Sequence, residues 1–119
     1  LKKNEKPKQS FQNLGYTIEQ DTLYDDIRKV DICFLTKDGY RVELVSPVSE
    51  DSVVAGLMKR YKNTPYHICY ETSDFDKDYA DLTANGFLAI DELTPAPALG
   101  SRQVVFLNHA AMGMIELIR

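Results

Sequence analysis

Tryptophan is absent from the 119 residues, and cysteine occurs only twice, at Cys33 and Cys69. Two cysteines inside apolar strand-like runs do not build a disulfide scaffold, so both are read as small, reduced core residues. No close Cys or His pairs recur at the spacing that a structural zinc site needs. No apolar run approaches the roughly 18 residues required to span a bilayer. The opening Leu1-Lys2-Lys3-Asn4-Glu5-Lys6 has no apolar stretch of the kind a secretion signal carries. Net charge is −4, and no Lys/Arg stripe interleaves with aromatics, so nucleic acid is not the expected partner. These absences leave a cytoplasmic globular protein, neither membrane-spanning nor nucleic-acid-binding. Its 44% hydrophobic and 27% charged content suits one domain with a real core.

What is present is strongly patterned. Lys3 to Asn13 reads as a short helix with Phe11 and Leu14 on its apolar side, stopped by Gly15. Strands follow at Tyr16–Leu23 and Lys29–Leu35, with Tyr24–Ile27 as a polar turn between them. Lys37-Asp38-Gly39 is a hairpin signal leading into the alternating strand Tyr40–Val45. After Pro47, Ser49 or Asp51 can cap a helix running to about Arg60. Tyr66–Thr72 is a strand. Ser73 or Asp74 caps a helix that Asn85-Gly86 closes. Phe87–Leu93 reads as a strand, Thr94–Ser101 as a Pro/Gly-rich loop, and Gln103–Leu107 and Met112–Ile118 as the last two strands.

The second half repeats the first. Asn13-Leu14-Gly15-Tyr16 matches Ala84-Asn85-Gly86-Phe87, Ile32-Cys33-Phe34-Leu35 matches Val104-Val105-Phe106-Leu107, and Val42-Glu43-Leu44-Val45 matches Ile115-Glu116-Leu117-Ile118. The offset grows from 71 at the glycines to 72 at the phenylalanines and 73 at the glutamates, which single-residue loop insertions explain. The second half runs strand, helix, strand, strand, strand. The first half lacks the opening strand, so the repeat calls for a strand ahead of Leu1 bearing the counterpart of His67. The expected fold class is therefore α+β. Two βαβββ modules make curved mixed sheets around a central cup, and the first strand of module 1 is absent from this chain. The expected organisation is one domain over 1–119, with module 1 at 1–47, a helix and linker at 48–64, and module 2 at 65–119.

Alternation along the strands selects the candidate chemistry. If Val42 and Leu44 face the helix, Glu43 faces away from it with Arg41, and Glu116 likewise opposes Ile115 and Leu117. His67 shares a face with Cys69, and Asp31 opposes Val30 and Ile32. A lone glutamate on such a strand is ordinarily a solvated residue. The equivalence of Glu43 and Glu116 across the repeat raises both above that. Brought into one cup, Glu43, His67 and Glu116 would suit a borderline or hard divalent cation: Zn, Ni, Co, Mn or Fe. His109, in the last hairpin, reads as exposed and not as a ligand.

The stretches Val42-Glu43-Leu44-Val45-Ser46-Pro47, Glu50-Asp51-Ser52-Val53-Val54-Ala55 and Tyr66-His67-Ile68-Cys69-Tyr70-Glu71 have a familiar spacing. So does Gly100-Ser101-Arg102-Gln103-Val104-Val105-Phe106-Leu107 followed by Gly113-Met114-Ile115-Glu116-Leu117. Over essentially its whole length the chain resembles the vicinal-oxygen-chelate (glyoxalase and bleomycin-resistance) superfamily, and within it the methylmalonyl-CoA epimerase type. The resemblance implies paired βαβββ modules around a divalent metal. It also implies that Glu43, His67 and Glu116 are three of the four usual ligands. It implies Glu116 and Asp31 as proton-transfer groups, Asp31 being shorter than the glutamate usual at that place. Lys59, Arg60, Lys62 and Arg102 would meet the phosphates of a CoA-like substrate. The implied activity is an isomerase or lyase removing a proton alpha to a metal-bound carbonyl of a CoA thioester or a glutathione adduct, in a homodimer. The alternatives within that resemblance are lactoylglutathione lyase and a metal-free ligand-sequestering module of bleomycin-resistance type. A ring-cleaving dioxygenase fits less well, since that chemistry pairs two His with one carboxylate.

Overall fold

A computed structural model describes residues 5–119, with nothing to be said of the Val53 side chain. The expected start of the first helix at Lys3 lies outside the described residues. The described residues form three α-helices and eight strands in an α+β arrangement, and the chain divides into two compact units, Leu1–Lys62 and Asn63–Arg119.

The first unit opens with α1 (Glu5–Asn13), then β1 (Thr17–Asp25), β2 (Val30–Lys37) and β3 (Tyr40–Pro47), an antiparallel sheet in that order, followed by α2 (Val53–Tyr61). Pro7 is tolerated because it sits in the first turn of α1, where no intrahelical N–H is lost. The helix ends in a Schellman turn. Gly15 at φ +98° lets the Tyr16 N–H reach back to the Phe11 carbonyl at 3.1 Å and the Gly15 N–H to Gln12 at 2.9 Å, while the two aromatic rings meet edge to face. β1 runs two residues beyond its expected end, through Tyr24 and Asp25, at the cost of two irregularities in its register with β2. The buried Asp25 then closes the turn, accepting the N–H groups of Ile27 and Arg28. Asp38 and Gly39, both at positive φ, form the tight hairpin between β2 and β3. The cap of α2 is Ser52, not Ser49 or Asp51. Its hydroxyl accepts from the Val54 N–H at 3.3 Å and donates to the Arg28 carbonyl at 2.7 Å.

The second unit contains β4 (His67–Glu71), α3 (Phe75–Ala84), β5 (Leu88–Ala89), β6 (Thr94–Ala96), a 3₁₀ turn (Pro97–Leu99), β7 (Arg102–His109) and β8 (Gly113–Ile118). Its sheet runs β4-β8-β7-β5, with β4 parallel to β8 and β6 paired to β7. Asp74 caps α3 by accepting from the Lys77 N–H. The helix ends as α1 does: Gly86 sits at φ +95° and the Phe87 N–H returns to the Leu82 carbonyl at 3.1 Å. The strand expected over Phe87–Leu93 shortens to two residues. After Ile90 donates to Phe106, the Asp91 carboxylate accepts the Phe106 N–H and replaces the next rung of the ladder. Part of the expected loop forms β6 instead.

The core of the second unit is Phe87, Val105, Leu107, Ile115 and Leu117 beneath Phe75, Tyr79 and Leu82 of α3. On the other face of the sheet Ala96 and Leu99 pack on Val104 and Ile118. Cys33 is buried, and that burial raises its thiol pKa. Cys69 departs from expectation. It is exposed because β4, among the described residues, has a strand on one side only.

Candidate functional site

Register confirms the internal repeat residue by residue. Phe34 stands opposite Glu43 in the β2–β3 ladder, and Phe106 stands opposite Glu116 in the β7–β8 ladder. Cys33 with Leu44 matches Val105 with Leu117, and Leu35 with Val42 matches Leu107 with Ile115. Each unit therefore presents a phenylalanine–glutamate pair on the face opposite its helix, held by apolar neighbours on the helix side.

In the second unit that pair acquires an imidazole. The parallel ladder sets His67 beside Met114 and Cys69 beside Glu116, so His67 and Glu116 lie diagonally across two adjacent strands on one face. His67 Nε2 is 3.0 Å from Glu116 Oε1. The imidazole stands edge-on to Phe106, with ring centroids 5.1 Å apart, and tilts against Tyr66 at 4.6 Å. Glu116 is only 7% exposed, and His67 Nδ1 is a buried nitrogen with no hydrogen-bond partner among the described residues. A carboxylate buried to that degree needs a cation or donors. Two donors each about 2.1 Å from a cation, at a right angle to one another, stand about 3 Å apart. The His67–Glu116 spacing thus fits a divalent cation shared between them. It equally fits a direct hydrogen bond with Nε2 as donor. Phe106 and Tyr66, which fix the ring plane, escape a search for ligand residues; the signal was the recurrence of Phe before each repeated Glu.

In the first unit Glu43 is half-buried on the face of Phe34. Arg41 shares that face. Its guanidinium lies 3.9 Å over the Phe34 ring and pairs with Glu19. Asp31 does not share it. The β2–β3 register is unbroken from Val30 to Lys37, so strict alternation puts Asp31 with Cys33 and Leu35, on the opposite face from Phe34 and Glu43. The Cys33 face is the one facing α1, since the Lys8 charge acts on the Cys33 thiol. Helix-face parity counted from Val30 and Ile32 gives the reverse assignment, because both neighbours of Asp31 are apolar and burial lies on both faces of β2. Among the described residues no group of three or more His, Cys, Asp or Glu is gathered for a metal. His67 and Glu116 belong to the second unit and Glu43 to the first.

Of the basic residues, Arg102 is held at the end of the sheet. Its Nε donates to the Arg119 carbonyl at 3.3 Å, and Nη1 stands 3.7 Å from Glu71. Lys59, Arg60 and Lys62 are exposed around the C-terminal end of α2. His109 is half-buried and not free in solvent. It packs on Phe87 and over Gly86, and its Nδ1 accepts the Ala111 N–H.

A family model described as Glyoxalase/Bleomycin resistance protein/Dioxygenase superfamily matches residues 2–106. The chain belongs to that superfamily. Setting aside the short β6, the second unit runs βαβββ, with its strands ordered first, fourth, third, second across the sheet, and the fold as a whole is the superfamily's. Solved structures agree at the level of fold. A hypothetical protein from Bacillus halodurans C-125 is 22% identical with a TM-score of 0.77, over 92% of this chain and 79% of that one. Methylmalonyl-CoA epimerase from Mycobacterium tuberculosis is 21% identical with a TM-score of 0.73, over 93% of this chain and 75% of that one. A methylmalonyl-CoA epimerase in complex with methylmalonyl-CoA and NH4+ is 22% identical with a TM-score of 0.73, covering 95% and 84% respectively. No curated protein matches the sequence. No helix among the described residues is long and apolar enough to cross a membrane.

Proposed function

We propose that this superfamily member is a metal-dependent isomerase or lyase of a carbonyl compound, with chemistry like that of methylmalonyl-CoA epimerase on a CoA thioester. His67 and Glu116 would hold the divalent cation, and Glu43, the repeat counterpart of Glu116, is proposed as a further ligand. The observation that carries this reading is the buried His67–Glu116 pair at 3.0 Å. A divalent cation supplies Lewis acidity, which acidifies the proton next to a bound carbonyl.

The chain's own residues do the rest. Phe106 and Tyr66 fix the imidazole plane, so His67 keeps one orientation. Burial of Glu116 keeps bulk water away from its carboxylate. Glu116 takes the proton alpha to the carbonyl and returns it. Epimerisation needs a second group on the other side of the substrate, and the face assigned to Asp31 by the β2–β3 register gives that residue no such role. The same observation favours a second reading: a lyase or isomerase that works from one side, as a lactoylglutathione lyase type of reaction on a glutathione adduct allows. We further propose a cytoplasmic homodimer, for which sedimentation at micromolar concentration is the direct check.

The test is proton exchange. The protein loaded with Co or Ni is incubated in deuterium oxide with methylmalonyl-CoA, and separately with the hemithioacetal of methylglyoxal and glutathione. Deuterium should enter the carbon next to the carbonyl of one of them, and Glu116→Gln should abolish uptake. Absence of uptake from both substrates in metal-loaded protein would make a ligand-sequestering module the better reading.

A further inference from the structure

The sheet face that carries His67 and Glu116 sets two sulfur atoms beside them. In the parallel ladder of β4 with β8, His67 stands beside Met114 and Cys69 beside Glu116. Ile68 and Tyr70 pair with Ile115 and Leu117 on the helix side. Side chains alternate along both strands, so His67, Cys69, Met114 and Glu116 are the corners of a square on the other face. His67 and Glu116 take one diagonal, Cys69 and Met114 the other. Phe106 stands on the far side of Glu116, across from it in the β7–β8 ladder. Cys33 is shut away in the first unit, whereas Cys69 is exposed beside the candidate site.

Side-chain lengths suit that square. Neighbours on adjacent strands are about 5 Å apart and diagonal ones about 7–8 Å. The long imidazole and carboxylate already meet across the diagonal, with Nε2 3.0 Å from Oε1. The short thiol sits at the nearer, lateral distance from Glu116. Among the described residues the three are not gathered around one point. Rotation of Cys69 about its one side-chain bond turns the sulfur toward the pair. The pair itself is short of partners. Both side chains are only 10% exposed, and His67 Nδ1 has no partner among the described residues. Buried polar groups left in that condition mark a place where an ion or water belongs.

We propose that the Cys69 thiolate is a further ligand to the cation, and that its sulfur makes the site select thiophilic ions, Zn or Co, over Mn or Mg. The inference rests on the reading of His67 and Glu116 as a cation-holding pair. On binding, the thiol gives its proton to solvent as the metal–sulfur bond forms. Nitrogen, oxygen and sulfur donors together make a zinc-like set, whereas Mn and Mg favour oxygen. All three donors belong to the second unit. The half-buried Met114 lines the site beside His67 with a weaker thioether.

Absorption spectra of the whole chain loaded with Co(II), reduced and free of oxygen, test this. Thiolate-to-cobalt charge-transfer absorption should appear in the near ultraviolet beside the weaker visible bands of bound cobalt. Cys69→Ser should remove the near-ultraviolet absorption and keep the visible bands. The same change should weaken Zn by about tenfold or more and leave Mn affinity in place. Iodoacetamide reads the contact without a substitution: Zn should slow alkylation of Cys69 several-fold, and Glu116→Gln should cancel that protection. Visible cobalt bands without the charge-transfer absorption, or absorption that survives Cys69→Ser, overturn the sulfur ligand and leave the His67–Glu116 reading standing. Alkylation at one rate with and without Zn, in protein that binds Zn, also overturns it. A chain that shows no cobalt bands at all loses the His67–Glu116 reading and the sulfur ligand with it.

Discussion

The two units carry the same framework and differ in what fills it. Helices α1 and α3 both end on a glycine in a Schellman turn, and both sheets set a phenylalanine across from a glutamate at the same register position. Behind the sheets they diverge. The second unit packs Phe75, Tyr79 and Leu82 onto an apolar core. In the first, the position matching Tyr79 is Lys8, only 7% exposed, with its ammonium 2.7 Å from Asp21 and 3.2 Å from Glu5. In front they diverge again: the ring of Phe106 has an imidazole against it, that of Phe34 a guanidinium. Even the side chain over each glycine differs. Lys37 lies over Gly15 and donates to the Leu14 carbonyl, whereas His109 lies over Gly86. Backbone geometry and strand pairing survive such divergence because they depend on glycine, alternation and apolar volume. The chemistry rests on a few side chains that can change singly.

The largest test of the shared framework is Leu35→Ala against Leu107→Ala. Both leucines are fully buried at equivalent positions, and each change should cost about 2–5 kcal/mol in urea unfolding. A difference well above that spread would mean the two cores are not comparable. Next come the repeated glutamates. His67→Asn and Glu116→Gln should each lower Ni or Co affinity by about tenfold or more in calorimetry, and Glu43→Gln should do the same. An unchanged affinity for Glu43→Gln would confine metal binding to the second unit and break the comparison at its most functional point.

The helix interface separates the units by pH. Hydrogen bonding to Asp21, opposed by burial, raises the pKa of Lys8, and the Lys8 ammonium in turn lowers that of Asp21. The Lys8 contribution is therefore complete below its ordinary pKa and is lost as pH rises through the raised value. The Asp21 contribution is complete above its ordinary pKa and fades as pH falls through the lowered one. Lys8→Met should remove the alkaline dependence and weaken the acidic one, part of which the Thr22 N–H bond to Asp21 retains, with little change in the unfolding midpoint at neutral pH because Asp21 is exposed and screened. Unfolding curves across acid and alkaline pH check this. The smallest expected effect is that of Asp31→Asn, which should leave metal affinity and deuterium uptake unaltered. Loss of uptake would return Asp31 to the substrate's side and revive the two-sided epimerase.

The sequence by itself determined most element types and the repeat. Those depend on local rules: a glycine that alone tolerates positive φ, an Asp-Gly turn that sets hairpin register, and side chains that alternate every residue along Tyr40–Val45. Element ends were less legible. Asp91 ends the ladder of β5 with its side chain, and the extension of β1 to Asp25 depends on irregular pairing with β2. Tertiary structure alone decided three matters. It put Asp31 on the α1 side, since β2 is buried on both faces and its alternation has no absolute sign until paired with β3. It exposed Cys69, because only the sheet order makes β4 an edge. It also brought His67 to Glu116, residues separated by 49 positions and joined by a parallel ladder that α3 and three strands must close first. A parallel pairing of that kind leaves no local mark in the chain, since its register is fixed by the packing of everything in between.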